Sequence, residues 1–164
     1  MIKLILLDVD GTLTDGGIYR DNNGGEYKKF NVKDGYSIVH ARNLNIDFGI
    51  ITGRNSELVR IRAEELKMKY LYQGISEKVK ILEKILDESA LDKSEVAYMG
   101  DDLNDIHIMK RVGIKGAPRD AVPEILEIAD FISDKNGGEG AVREFVEYIL
   151  KKDGKWEQFL EKVK

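Results

Sequence analysis

Apolar positions along this chain follow two alternating patterns. Short, nearly unbroken runs the length of a strand give way to longer stretches with apolar residues three and four apart. Residues 2–8, IKLILLD, are almost continuously apolar, as in a strand covered on both faces. Residues 18–30, IYRDNNGGEYKKF, hold two short aromatic-bearing segments around Asn22-Asn23-Gly24-Gly25, which predicts a hairpin. Helical spacing over 34–45 turns Ile38, Val39, Ala41 and Leu44 inward, and the strand DFGIIT (47–52) follows. Asn55-Ser56-Glu57 opens a charged amphipathic helix that reaches Met68. YLYQ (70–73) predicts a strand, 76–89 a helix, EVAYMG (95–100) a strand and 102–112 a helix. GIKGA (113–117) and FIS (131–133) predict strands around a helix over 119–128, and a last helix covers about 140–152. The tail, about 153–164, has room for one more amphipathic turn or two.

Repeated strand–helix order predicts an α/β fold, a Rossmann-like three-layer arrangement with helices on both faces of a mostly parallel sheet. Residues 1–164 read as one domain, with a small β-hairpin insert at about 17–31. Composition narrows the function. Net charge is −4 with both signs interspersed, which argues against nucleic acid as a main partner because no block of like charge could track a phosphate backbone. The absence of cysteine excludes thiol catalysis and zinc–thiolate sites. No apolar run approaches the ~18 residues of a membrane span. Met1-Ile2-Lys3 leads straight into the first strand, so the expectation is a cytoplasmic protein without a signal peptide.

In folds of this class, ligands sit at the C-terminal ends of the strands. The first strand ends in Asp8-Val9-Asp10-Gly11-Thr12, the second core strand in Thr52-Gly53-Arg54, and the fourth in Gly100-Asp101-Asp102, with Asp105 one turn further. The helix after the third begins near Ser76-Glu77-Lys78. Singly, each has an ordinary explanation: a turn, a helix entry, a solvated lysine, acids at a helix start. Together, Asp8, Asp10, Asp101 and Asp102 would repel one another, and a hard cation resolves that conflict. Mg²⁺ needs only one or two direct carboxylates plus water and phosphate oxygens.

Asp8 is then the candidate nucleophile, because a carboxylate attacking phosphorus divides one hard step into two. Asp10 is the candidate acid for the leaving alcohol and base for water. Thr52 and Lys78 would hold the transferring phosphoryl oxygens. Asp8, Asp10 and Asp101 are the expected metal ligands, while Asp102 and Asp105 complete the outer shell or orient Lys78. Asp15 is expected to serve loop structure. His40 and His107 stand alone in predicted helices and are read as structural or solvated, and Trp156 as tail packing.

DVDGT, ITGR, Lys78 and GDDLND resemble, in order, the four motifs of the haloacid dehalogenase-like phosphatases. The stretches DGGIYRDNNGGEYKKFNVKDGYSI, ITGRNSELVRIRAEEL, YQGISEK, VAYMGDDLNDIHIMKRVGIKGAPRDAVPEI and GGEGAVREF look like the 3-deoxy-D-manno-octulosonate 8-phosphate phosphatase subfamily over nearly the whole chain. That resemblance implies a Mg²⁺-dependent phosphatase acting on a small phosphorylated sugar acid in lipopolysaccharide biosynthesis. It also implies a homotetramer. No cap domain fits between Gly16 and Lys33, so neighbouring hairpins would cover the active sites, with Ile18, Tyr19, Tyr27 and Phe30 at the interface rather than packed on their own domain. Gly53 and Arg54 are candidates for substrate binding, since a guanidinium grips a carboxylate bidentately. Arg62, two turns along, either points the same way or lies on a solvated face. Arg143 belongs either to a glycine-hinged flap reaching a neighbour's site or to an ordinary helix start.

Other readings remain in view. A related branch acting on nine-carbon, sialic-type ulosonate 9-phosphates resembles the chain closely but has glutamate where Arg54 stands. A phospho-accepting receiver domain would also use acids, a threonine and a lysine, but in a different order along the chain. A silent subunit is disfavoured by the intact motifs, and the phosphatase-like end of a larger cytidylyltransferase by the chain's length. A phosphomutase normally requires a cap.

Overall fold

The computed structural model describes all 164 residues. Strand β1 (Leu4–Leu7) leads through a looped segment, Val9–Leu13, into a hairpin of β2 (Tyr19–Arg20) and β3 (Glu26–Tyr27). There follow α1 (Val32–Ala41), β4 (Asp47–Ile51), α2 (Glu57–Glu65), β5 (Tyr70–Tyr72), α3 (Lys78–Ser89) and β6 (Val96–Met99). The chain continues with α4 (Ile106–Met109), β7 (Ile114–Ala117), α5 (Pro123–Ile128), β8 (Phe131–Ile132), α6 (Ala141–Lys152) and α7 (Trp156–Val163). Six strands form one parallel sheet in the order β5-β4-β1-β6-β7-β8; β2 and β3 pair antiparallel apart from it.

Why β1 is apolar throughout follows from its central place. All four of its residues are fully buried. Side chains alternate between faces, so Leu4 and Leu6 join the cluster holding Leu82 and Ile85 of α3, Ile108 and Met109 of α4 and Ile125 of α5. Ile5 and Leu7 join the opposite cluster, with Ile38 of α1, Val59 and Ala63 of α2, Phe145 of α6 and Phe159 of α7. Each aliphatic side chain removed from water in this way contributes ~1.5–3 kcal/mol. Both layers therefore fix β1, and with it the residues that leave its C-terminal end.

Element ends differ from the sequence expectation where local chemistry intervenes. α1 begins at Val32 rather than residue 34 because the Asn31 side chain accepts the Lys33 N–H at 2.9 Å and starts the helix earlier. The helix expected over 102–112 divides into a 3₁₀ turn, Leu103–Asp105, and the short α4, because the Asp105 carboxylate turns back to accept backbone N–H groups. α5 starts at Pro123, a residue suited to the first helical position. The tail forms a true helix, α7, anchored by buried Phe159.

Candidate active site

β1, β4 and β6 lie side by side, so the residues following them meet at one end of the sheet. Directly after β1, the Val9–Leu13 segment bends away through Gly11, whose φ of 88° suits glycine. A Cβ there would also lie 2.0 Å from Asp101 Oδ2, so the loops after β1 and β6 interlock at this glycine. Asp8, 5% exposed, and Thr52, 2% exposed, stand at the ends of their strands. Lys78 is the first residue of α3 and is 3% exposed. Asp8, Asp10, Thr52, Gly53, Arg54, Asp102 and Asn104 line a single cavity of about 180 Å³ with no hydrophobic residue among them.

Beneath that cavity runs a buried charge cluster. Lys78 Nζ lies 3.1 Å from Asp8 Oδ1 and 2.7 Å from Asp105 Oδ1. Tyr98, wholly buried on β6, donates its hydroxyl to Asp105 Oδ1 at 2.6 Å and accepts from Lys78 Nζ at 3.1 Å. The second oxygen of Asp105 accepts the N–H groups of Asp101 and Asp102 at 3.0 and 3.3 Å. Asp105 thus spends both oxygens on the protein, orienting Lys78 and holding the loop after β6. Asp101 takes a 3.3 Å hydrogen bond from the Thr12 hydroxyl.

One ammonium pairs with two of three clustered acids, Asp8 and Asp105. Oxygens of Asp8, Asp101 and Asp105 all lie within 4.8 Å of one another. Burial, then repulsion from Asp105, pushes the Asp8 carboxyl up to about 6 against the pull of Lys78. Burial, then Asp8 and Asp105, pushes Asp101 up to about 8. Burial works against the charge on Lys78, but Asp8 and Asp105 outweigh it and hold Lys78 above the ordinary lysine range. Excess buried negative charge of this kind, carried on hard oxygen donors, fits a divalent cation such as Mg²⁺. With Asp105 saturated, Asp8 and Asp101 are the carboxylates free to face it.

Not every expected residue joins the cluster. The Asp10 side chain lies outside the three-acid group and meets Lys28 Nζ at 2.5 Å instead. Asp102 lines the cavity, but its carboxylate caps the Leu103 N–H at 2.7 Å. Arg54 lines it with NH2 held 3.0 Å from Glu26 of the hairpin. Arg62 and Arg143 do not line it. Arg62 pairs with Glu65 at 3.1 Å and covers the Phe30 ring; Arg143 pairs with Glu147 at 2.6 Å. The glycines before Arg143 pack against the loop after β1 of their own chain. Gly138 N–H donates to Thr12 O at 3.2 Å, and a Cβ on Gly137 would stand 1.9 Å from Gly11 O. Phe30, expected at an interface, is half-buried against its own core, bridged to Thr14. Asp15 does serve the loop, accepting from the Gly17 N–H and the Tyr19 hydroxyl.

Three contributors were not anticipated: Lys28, Glu26 and Tyr98. Glu26 and Lys28 carried a faint signal, since residues two apart on a strand share a face. Tyr98 interrupts an apolar strand with a hydroxyl that needs a buried partner.

Known proteins resemble this chain over most of its length. A family model for haloacid dehalogenase-like hydrolases matches residues 70–146. The chain is 45% identical to the 3-deoxy-D-manno-octulosonate 8-phosphate phosphatase KdsC of Escherichia coli (strain K12), over 96% of this chain and 84% of that protein. It is 44% identical to the KdsC of Yersinia pestis, over 91% of this chain and 80% of that one. Among solved structures, a 3-deoxy-D-manno-octulosonate 8-phosphate phosphatase from Moraxella catarrhalis, in complex with a magnesium ion, a phosphate ion and a KDO molecule, superposes with a TM-score of 0.95. Its identity is 36%, covering 99% of this chain and 94% of that one.

Proposed function

This chain belongs to the 3-deoxy-D-manno-octulosonate 8-phosphate phosphatase family, and from that premise we propose that it hydrolyses this sugar-acid phosphate to the free sugar acid and inorganic phosphate. The reaction is Mg²⁺-dependent and proceeds through an aspartyl-phosphate on Asp8. The observation that carries the reading is the placement of Asp8, nearly buried yet lining the polar cavity, with Lys78 at 3.1 Å. Its carboxylate is held by one cation and faces the space a phosphoryl group would fill.

Asp8 and Asp101 would hold a Mg²⁺, which would supply positive charge for phosphoryl oxygens beside Asp8. Lys78 and Thr52 stabilise the same oxygens during transfer. Asp10 gives a proton to the departing alcohol and later takes one from water. Asp105 holds Lys78, and Asp102 holds the loop beside it. Gly53 and Arg54 form the wall on which the substrate's carboxylate is read; Arg54 is suited to it by its forked donors. Arg62 and Arg143 act on substrate only if assembly brings them to a cavity, and their ion pairs favour a structural role in this chain.

The same reading extends to organisation. Residues 1–164 act as one hydrolase domain whose hairpin, about 17–31, stands in for a cap, and four copies assemble so that neighbouring hairpins cover the sites. Support comes from exposed Ile18, Tyr19, Tyr27, Val32 and Tyr36, a set of large apolar side chains gathered on the hairpin and the start of α1. The proposed setting is the cytoplasm, in lipopolysaccharide sugar synthesis; no helix is long and apolar enough to cross a membrane.

Phosphate release from octulosonate 8-phosphate and from a nine-carbon ulosonate 9-phosphate, with and without Mg²⁺, tests the reading. Preference for the first supports it, and preference for the second assigns the enzyme to the sialic-type branch. No Mg²⁺-dependent release from either ester, with Asp8→Asn as the blank, overturns it.

A further inference from the structure

Lys28 follows β3 on the hairpin, and its side chain is only 3% exposed. A lysine is almost never so enclosed without an anionic partner. Its ammonium meets Asp10 Oδ1 at 2.5 Å, with Glu26 Oε1 at 3.8 Å. Arg54 approaches the same Asp10 oxygen, NH1 at 3.9 Å, while its NH2 holds Glu26. Both cations therefore address Oδ1. The other oxygen, Oδ2, takes no hydrogen bond from the protein, and Asp10 lines the cavity.

From this asymmetry we propose that Lys28 is a positioning residue for catalysis: it clamps one oxygen of Asp10 so that the other is presented to the substrate. That role rests on the phosphatase reading above. As an Asp8 oxygen bonds to phosphorus and the ester P–O bond breaks, the proton on Asp10 Oδ2 passes to the departing alcohol oxygen. Water then attacks the phosphorus of the aspartyl-phosphate. Its proton goes to Oδ2, the bond between phosphorus and the Asp8 oxygen breaks, and phosphate leaves. Both transfers use one oxygen in one place, so fixing the rotation of this carboxylate serves each of them. The hairpin thereby holds a catalytic group of its own chain, in addition to any covering of a neighbour's site.

A leaving-group comparison separates positioning from mere structure. A sugar alkoxide needs a proton to depart, whereas p-nitrophenolate leaves without one. kcat/KM reports the steps up to loss of that group and is blind to the later hydrolysis of the aspartyl-phosphate. A well-placed general acid contributes ~10²–10⁴-fold, so Lys28→Met is expected to lower kcat/KM for octulosonate 8-phosphate about 10- to 100-fold, and for p-nitrophenyl phosphate less than about threefold. Lys28→Arg is expected to recover much of the loss. Equal losses on the two esters, or no loss on either, overturn the role of Lys28. Should Lys28→Met not fold, Lys28→Gln is read in its place by the same ratio. Wild-type enzyme inactive on both esters with Mg²⁺ would instead overturn the phosphatase reading, and the role of Lys28 with it.

Discussion

At the C-terminal end of the sheet, Asp8, Asp105 and Lys78 are buried together beside Asp101, and a cavity of about 180 Å³ opens above them. At the other end, Met1, Lys3, the turn at residues 43–45 and α7 surround a larger cavity of about 670 Å³. Its lysines are spent one by one: Lys3 on Glu95 at 2.7 Å, Lys155 on Leu44 O at 3.2 Å, Lys162 on Asn43 O at 2.5 Å. Each of those ammonium groups meets a partner of its own. The comparison teaches that volume does not mark chemistry in this fold. Buried charge that the protein leaves uncompensated does.

Replacing the proposed nucleophile breaks the contrast most severely. Asp8→Asn is expected to lower phosphate release by on the order of 10⁴-fold or more, while the melting temperature holds or rises because a repelled, buried carboxylate is gone. Lys78→Met removes the only cation among three acids, and losing one member of a buried ionic cluster costs about 3–5 kcal/mol. Chemical denaturation without Mg²⁺ would read that loss, and added Mg²⁺ should narrow it. In the wild type, Mg²⁺ at ~100 times its dissociation constant should add ~2.7 kcal/mol of stability. Asp101→Asn should abolish that gain, seen as a melting temperature indifferent to Mg²⁺.

Asp34 sharpens the comparison from a third place. It is 1% exposed, accepts the Arg143 N–H at 2.8 Å through Oδ1, and leaves Oδ2 without a partner. Burial pushes its carboxyl up to about 7, against the pull of the Arg143 N–H and the Arg62 and Arg143 charges. The folded protein then keeps a proton that the unfolded chain has lost. Stability contributed by this group is fully present below about pH 4 and falls by up to about 1.4 kcal/mol per pH unit as pH rises toward 7. Asp34→Asn should flatten that part of the stability profile. The smallest effect is expected at the far cavity, where Lys155→Ala should cost no more than about 1 kcal/mol and leave phosphate release unchanged.

The sheet was legible because its signal is repeated. Each buried strand writes an apolar run, and IKLILLD could sit nowhere but between two layers. The residues at the strand ends were legible for a related reason: Asp8 and Thr52 follow such a run directly and Asp101 follows one a single glycine later, so strand order gathers them. Lys28 was hidden because its meaning depends on how the hairpin folds back over Asp10, which no local pattern records. Arg62 illustrates the reverse. Spacing on α2 allowed it to point toward the site, but Glu65 and the Phe30 ring hold it. The Asp105 carboxylate likewise reshaped the expected helix after β6 through bonds to backbone N–H groups that composition alone does not reveal.

β1 has one further consequence, for the order in which the chain is made. Asp8 is synthesised before every strand that flanks β1, since Leu4 needs Asp47 beside it on one side and Val96 on the other. The Ile2 N–H closes onto Asp153 at 2.7 Å, near the opposite terminus. A nascent chain still on the ribosome therefore carries Asp8 long before the partners that bury and charge it exist. The buried charge cluster around Asp8 can close only after Lys78, Asp101 and Asp105 have been made and folded beside it.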